Sequence, residues 1–189
     1  MKTSNKLLLI FLGAIVFLMI TSLIYIRFFG LEAGEKIQVS GVMTTQERTL
    51  TSFSSVEFEG PFDITILQGN ESTMSVTADE QIQPFITSEY ADNGTLLIRI
   101  KKGYDLPNRS DIRIQITAPS WKGISLSGSG DLRSSDTLTG DFLNIESNGS
   151  GEMDLLLNYQ SVTAELNGSP ELSMKGSSNS LAITSNGSG

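Results

Sequence analysis

One short turn recurs at nearly even spacing through the last third of the chain, and it limits the folds open to the whole. Gly128-Ser129-Gly130, Asn148-Gly149-Ser150-Gly151, Asn167-Gly168-Ser169-Pro170 and Asn186-Gly187-Ser188-Gly189 set their first glycines 21, 19 and 19 residues apart. Apolar residues alternate ahead of each turn: Ile124 and Leu126, then Leu143 and Ile145, then Val162, Ala164 and Leu166, then Leu181 and Ile183. An acid and an apolar residue follow the first three, at Asp131-Leu132, Glu152-Met153 and Glu171-Leu172. Self-similarity near 20 residues marks a solenoid, and alternation with period two makes its units strands. The expected fold is all-β: a parallel β-helix-like solenoid with rungs of about 19–21 residues, preceded by one N-terminal transmembrane helix.

Stacked rungs about 4.8 Å apart pile equivalent residues into columns. Asn148, Asn167 and Asn186 are therefore predicted to form a ladder, each amide donating to the next carbonyl oxygen. Ser129, Ser150, Ser169 and Ser188 should stack likewise. Asparagine tolerates the left-handed backbone of a corner, and the glycine after it supplies a second positive angle. The same Asn-Gly-Ser strings match the N-glycosylation pattern. Corner geometry accounts for their periodic placement, and glycosylation does not.

Cysteine and histidine are both absent from the 189 residues. That excludes thiolate nucleophiles, disulfides, Cys/His zinc sites and imidazole-based triads. It also excludes a lipidated cysteine, so any membrane attachment must come from the peptide itself. A hydrophobic share of 39%, with 18 glycines against five prolines, suits a glycine-punctuated β protein.

Leu7 to Ile26 is a run of twenty residues without a charge, about 30 Å long as a helix and so the thickness of a bilayer core. Lys2 and Lys6 precede it, Arg27 follows it, and Tyr25, Phe28 and Phe29 lie where an interfacial aromatic belt would. An uncleaved signal anchor with a cytoplasmic N-terminus is expected. The rival is a cleaved signal peptide, but its apolar core would be shorter, and Leu31-Glu32-Ala33 is a poor cleavage site. The predicted organisation is a cytoplasmic N-terminus 1–6, a transmembrane signal anchor 7–29, a linker 30–36 and an exported all-β domain 37–189. That domain divides into an irregular β part, 37–119, and repeat rungs, 120–189.

Residues 31–189 carry ten basic and twenty-one acidic side chains, a net charge of −11. Such a surface does not follow a phosphate backbone, so nucleic acid is not an expected partner. Strands are predicted over Ile37 to Met43, Val56 to Phe58, Phe62 to Leu67 and Thr73 to Thr77. A hairpin is predicted from Ile86–Tyr90 through Asp92-Asn93-Gly94 to Leu96–Ile100, because Asn-Gly suits a tight primed turn. Ile112, Ile114 and Ile116 alternate up to Pro119.

Several of these stretches carry a resemblance. Phe62-Asp63-Ile64-Thr65-Ile66-Leu67-Gln68-Gly69, Ala78-Asp79-Glu80, Asn93-Gly94-Thr95-Leu96-Leu97-Ile98 and Ile116-Thr117-Ala118-Pro119, leading into Ser127-Gly128-Ser129-Gly130, resemble the GIN-domain family of autotransporter adhesin heads, best known from Bacteroidetes-type bacteria. The resemblance covers roughly residues 40–189. It implies an all-β, β-helix-like domain at the cell envelope and brings no catalytic residues with it. Family members usually continue past the last repeat, whereas this chain stops at Gly189.

Two chemical readings stand beside a purely structural one. Asp131, Glu152 and Glu171 would form a column of carboxylates, a candidate calcium site. Two such charges ~5 Å apart in water repel by only about 0.8 kcal/mol, so the column needs no metal to exist. A pectinase- or lyase-like enzyme would need paired carboxylates, or a base beside a cation, on one face. Glu152 and Asp154 are the one pair on a shared strand face. Lys122, Arg133 and Lys175 are the cations of 120–189, and Trp121, Phe142 and Tyr159 its aromatics.

No catalytic, cofactor-binding or metal residue is assigned, no cofactor is expected, and the chain is expected not to be an enzyme. The expected function is that of a membrane-anchored, non-catalytic cell-envelope protein with an adhesin-like β-solenoid domain. The alternative is a polysaccharide-active β-helix enzyme. The expected address is the bacterial cell membrane, single-pass, with the C-terminal domain exported. Expected partners are the membrane through the N-terminal helix, a glycan or envelope ligand, and an oligomer or capping partner at the open solenoid end.

Overall fold

The computed structural model describes residues 11–22, 35–91, 93–107 and 110–187. The chain separates into two units, Met1–Glu35 and Lys36–Gly189. In the first unit, residues 11–22 are helical. Among the described residues no helix is long and apolar enough to cross a membrane, which corrects the expected transmembrane helix. The rest of the 7–29 stretch lies outside the described residues.

The strands run β1 (Glu35–Lys36), β2 (Met43–Thr49), β3 (Ser55–Glu59), β4 (Asp63–Gln68), β5 (Thr73–Asp79), β6 (Ile86–Tyr90) and β7 (Leu96–Ile100). They continue through β8 (Tyr104–Asp105), β9 (Arg113–Ala118), β10 (Gly123–Gly128), β11 (Asp131–Ser134), β12 (Leu138–Gly149), β13 (Glu152–Gly168) and β14 (Glu171–Gly187). Twelve of them form one mixed sheet, ordered β2-β5-β9-β4-β11-β13-β12-β10-β3-β7-β6, with β14 added on β13.

The parallel β-helix solenoid is the second expectation to be corrected. The sheet is a curled, mixed one, with antiparallel pairs β2–β5, β5–β9 and β6–β7 toward its ends. The joint between its halves is β13, one 17-residue strand. Its first part pairs with β11, through Leu132↔Met153, and the rest pairs with β12 from Leu138↔Leu157 to Gly149↔Gly168. Two strand stacks thus meet in shared long strands instead of closing as separate rungs. Equal spacing in sequence fixes which residues become neighbours, but does not require the repeats to close around an axis.

The spacing itself appears as strand register. β12, β13 and β14 pair in parallel at an offset of 19, with Asn148 beside Asn167 and Asn167 beside Asn186. β10 and β12 pair at an offset of 21, with Gly128 beside Gly149. The core lies where the inward side chains of both stacks gather: Ile64, Ile116, Leu132 and Met153 from the first, and Val56, Ile124, Ile145 and Ala164 from the second, each at most 1% exposed. Strict alternation supplies these residues because successive strand side chains point to opposite faces.

The hairpin β6–β7 falls where Asn93-Gly94 predicts it, with Gly94 at φ +79°. The strand expected over 37–43 does not form; β2 begins at Met43 and continues through polar residues to Thr49. Residues 40–41 are instead gathered by the buried Asp79 carboxylate. It accepts from the Gly41 N–H at 2.6 Å, the Gln81 N–H at 2.9 Å, and the Ser40 N–H and hydroxyl at 3.2 Å each. Burial works against ionisation of Asp79, but the donors of Gln81, Ser40 and Gly41 outweigh it and hold the carboxyl below its ordinary 3.8. A depressed folded-state pKa contributes stability that is full above the unfolded value and is lost as pH falls through the folded value. Asp79→Asn should therefore lower the melting temperature at neutral pH and flatten its decline below about pH 4. Thermal melts of both proteins between pH 3 and 7 check this, and parallel curves would remove Asp79 from the explanation.

Candidate functional site

Each strand stack presents one outward face. On the first, Asp63 lies beside Asp131, and Glu152 beside Glu171. The Glu152 N–H donates to Asp131 Oδ1 at 3.1 Å, joining the two pairs into the predicted acid column and adding Asp63 to it. Cations accompany the acids: Arg133 reaches Asp63 at 2.5 Å, and Lys175 lies 3.6 Å from Asp154. Asp154 also accepts from the Ser173 hydroxyl at 3.0 Å. Among the described residues no three carboxylates gather in an arrangement that could hold a metal ion. Glu152 and Asp154 lie two residues apart along β13; the Asp154 carboxylate is engaged by β14, and both acids border a cavity of about 160 Å³ with Asp131 and Arg133.

The second face is polar and laid out in rows. Ser125 lies between Glu57 and Glu146, and Glu165 continues the row. Beside it runs the asparagine ladder: Asn186 donates to Asn167 Oδ1 at 3.0 Å, and Asn167 to Asn148 Oδ1 at 2.9 Å. Asn148 ends it by donating to Glu146 Oε1 at 2.8 Å. Positive backbone angles fall on the glycines, Gly128 at +121° and Gly168 at +102°, and the asparagines contribute the ladder alone.

The three aromatics of the repeat region part company here. Trp121 and Tyr159 are buried in the core; the indole Nε1 donates to the Leu67 carbonyl at 3.0 Å, and the Tyr159 hydroxyl to the Trp121 carbonyl at 2.9 Å. Burial pushes the Tyr159 hydroxyl up to about 12. Phe142 is 54% exposed, with the Lys122 ammonium 5.8 Å from its ring centroid. It borders a groove of about 400 Å³ that also takes in Glu57, Ser125, Asn144 and Glu146. Burial first, then the charges of Glu59 and Glu146, raise the Glu57 carboxyl above its ordinary range, with Arg99 pulling the other way. Sequence spacing did not find this groove, because Glu57 and Glu146 are 89 residues apart and meet only through β10.

The two polar faces belong to one curled, mixed sheet, which makes this a mostly-β protein with ordered rows of polar side chains on its outside. The chain belongs to the family described as "Putative auto-transporter adhesin, head GIN domain", whose model matches residues 52–189. Solved structures share its fold at low identity. A "putative lipid binding protein" from Parabacteroides distasonis is 20% identical with a TM-score of 0.65, covering 81% of this chain and 75% of its own. A "putative adhesin" from Bacteroides fragilis is 19% identical with a TM-score of 0.55, covering 80% and 96%. Another "putative adhesin" from Parabacteroides distasonis is 20% identical with a TM-score of 0.59, covering 81% and 70%. No curated protein matches the chain.

Proposed function

We propose that this chain is an adhesin-like envelope protein whose exported domain binds without catalysis, through the outward face of its second strand stack. The observation that carries the reading is that face itself. In-register strands hold serine, threonine, asparagine and glutamate side chains in fixed rows, so the surface is ordered before a ligand arrives. Family membership supports an exported or cell-surface protein. Fold likeness alone would not assign a function. The enzyme alternative receives less support, because the Asp154 carboxylate is held by Ser173 and Lys175 of β14 and the cavity that it shares with Asp131 and Glu152 is small, about 160 Å³.

The apolar segment beginning at Leu7 serves as the attachment to the bacterial membrane, with the domain from residue 37 exported. The ligand is a glycan or another envelope component, and nucleic acid is not a partner of so acidic a chain. The edge of β14 that faces away from β13, with Leu181 and Ile183 each more than half exposed, is the place for a capping partner or a second copy.

The test compares cells with and without the full chain, scoring membrane retention and adherence to immobilised envelope glycans. Retention in the membrane fraction and loss of most adherence on deletion are the expected results. Unchanged adherence would remove the binding function, and recovery of the chain in the soluble fraction would remove the membrane attachment.

A further inference from the structure

We propose that the groove beside Phe142 is a sugar-binding site, in which one ring of a neutral glycan packs on the phenyl face while Glu57, Asn144 and Glu146 hold its hydroxyls. This rests on the binding-protein reading and gives it a location and a ligand class.

Exposure of Phe142 is the first argument. It stands 54% exposed, beside Lys122, on a face whose rows are mainly polar, while Trp121 and Tyr159 of the same repeats are buried. Nothing in the packing of the domain requires an aromatic ring there. A pyranose has one face of C–H groups that suits an aromatic platform and a rim of hydroxyls that must be paired when water is displaced.

The second argument is the donor and acceptor set. Carboxylates accept two hydrogen bonds side by side, and an asparagine amide both donates and accepts, which is what adjacent hydroxyls need. Glu57, Asn144 and Glu146 line the same groove as Phe142, and among the described residues neither glutamate is in an ion pair. Glu146 is steadied by the Asn148 amide at the end of the ladder, so its position is set before binding. Crowding of Glu57 by Glu59 and Glu146 makes hydroxyl donors welcome there.

Shape and charge narrow the class. A volume of about 400 Å³ lies within the usual range of small-ligand clefts. The floor is kept open at Gly123, where a Cβ would come within 2.9 Å of the Ser55 hydroxyl. Two carboxylates against the single ammonium of Lys122 leave the groove negative. It therefore repels uronates and phosphates and favours an uncharged sugar.

The test uses the full chain in a zwitterionic, sugar-free detergent, since glycoside detergents would occupy the groove. Neutral hexose oligosaccharides, uronate oligosaccharides and oligolysine are titrated against the wild type, Phe142→Ala, Glu57→Gln and, on the other face, Gln115→Ala. We expect binding of at least one neutral oligosaccharide, weakened about tenfold or more by Phe142→Ala and by Glu57→Gln, and unchanged by Gln115→Ala. Thermal melts accompany each variant, and Phe142→Ala should melt with the wild type because the ring is mostly exposed. Absence of neutral-sugar binding overturns the proposal, as does binding indifferent to Phe142 or confined to uronates or oligolysine. If cells bearing Phe142→Ala adhere fully, the groove fails while the adhesin-like function stands; only loss of the deletion phenotype ends both.

Discussion

Replacing Gly168 with alanine is expected to cost about 3 kcal/mol or more of folding stability. Gly168 sits at φ +102°, and a Cβ built on it would lie 2.5 Å from the carbonyl oxygen of Gly149 on the adjoining strand. Backbone conformations of this kind cost a residue with a side chain of order 1–3 kcal/mol. The overlap adds to that, because the obstructing atom is backbone held in register by β12 and β13 and cannot swing aside. Relief would require separating the strands beside Asn167, which would also stretch its bond to Asn148. Urea unfolding of the full chain measures the loss. Gly94→Asn is the matching control, since Gly94 also has positive φ but no atom within 4 Å of its Cβ position. Asparagine tolerates that region, so the control should lie within about 1 kcal/mol of wild type. Equal effects at the two glycines would show that close stacking is not what requires glycine at 168.

Trp121→Ala should be the most damaging core truncation, at about 3–5 kcal/mol. The indole is 1% exposed and meets Phe53 edge-on, with centroids 5.7 Å apart at 75°. It lies in the connection from β9 to β10, which carries the chain from the first stack to the second. Its Nε1 binds the Leu67 carbonyl on β4 and its own carbonyl receives the Tyr159 hydroxyl of β13, so one residue ties three parts of the domain together. Alanine removes the ring and the bond to Leu67 together. Trp121→Phe keeps most of the buried area but leaves the Leu67 carbonyl without its donor, for about 1–3 kcal/mol. Denaturant melts should rank alanine well below phenylalanine and phenylalanine below wild type. A phenylalanine variant as unstable as the alanine one would move the weight from packing to the hydrogen bond.

What could be read from the sequence was set by short-range rules. Asn148, Asn167 and Asn186 announce their own neighbours because a parallel register repeats the sequence spacing. Ile64, Ile116 and Ile145 announce their burial through alternation, and Asn93-Gly94 announces its hairpin. β2 was hidden because it packs along an edge, with Thr44, Thr45, Gln46 and Glu47 largely facing solvent and no apolar alternation to betray a strand. The curled mixed sheet was hidden for another reason. A period says which strand lies next to which, while closure depends on how Glu152–Gly168 bends as one continuous strand between two partners. The groove beside Phe142 was hidden because its walls come from β3, β10 and β12. The exposure that separates Phe142 from Trp121 and Tyr159 is a property of the packed sheet.

The absence of native cysteine offers the most direct test of the claim that the second stack's outward face does the binding. Single cysteines at Thr163, on that face, and at Gln115, on the face of the first stack, can each be capped with a maleimide-linked polyethylene glycol chain. Both positions are exposed, so neither cysteine should disturb folding. Capping at Thr163→Cys should abolish adherence of the chain to envelope glycans, and capping at Gln115→Cys should leave it intact. Adherence that survives the cap at 163, or is lost only with the cap at 115, would contradict the assignment of the binding face.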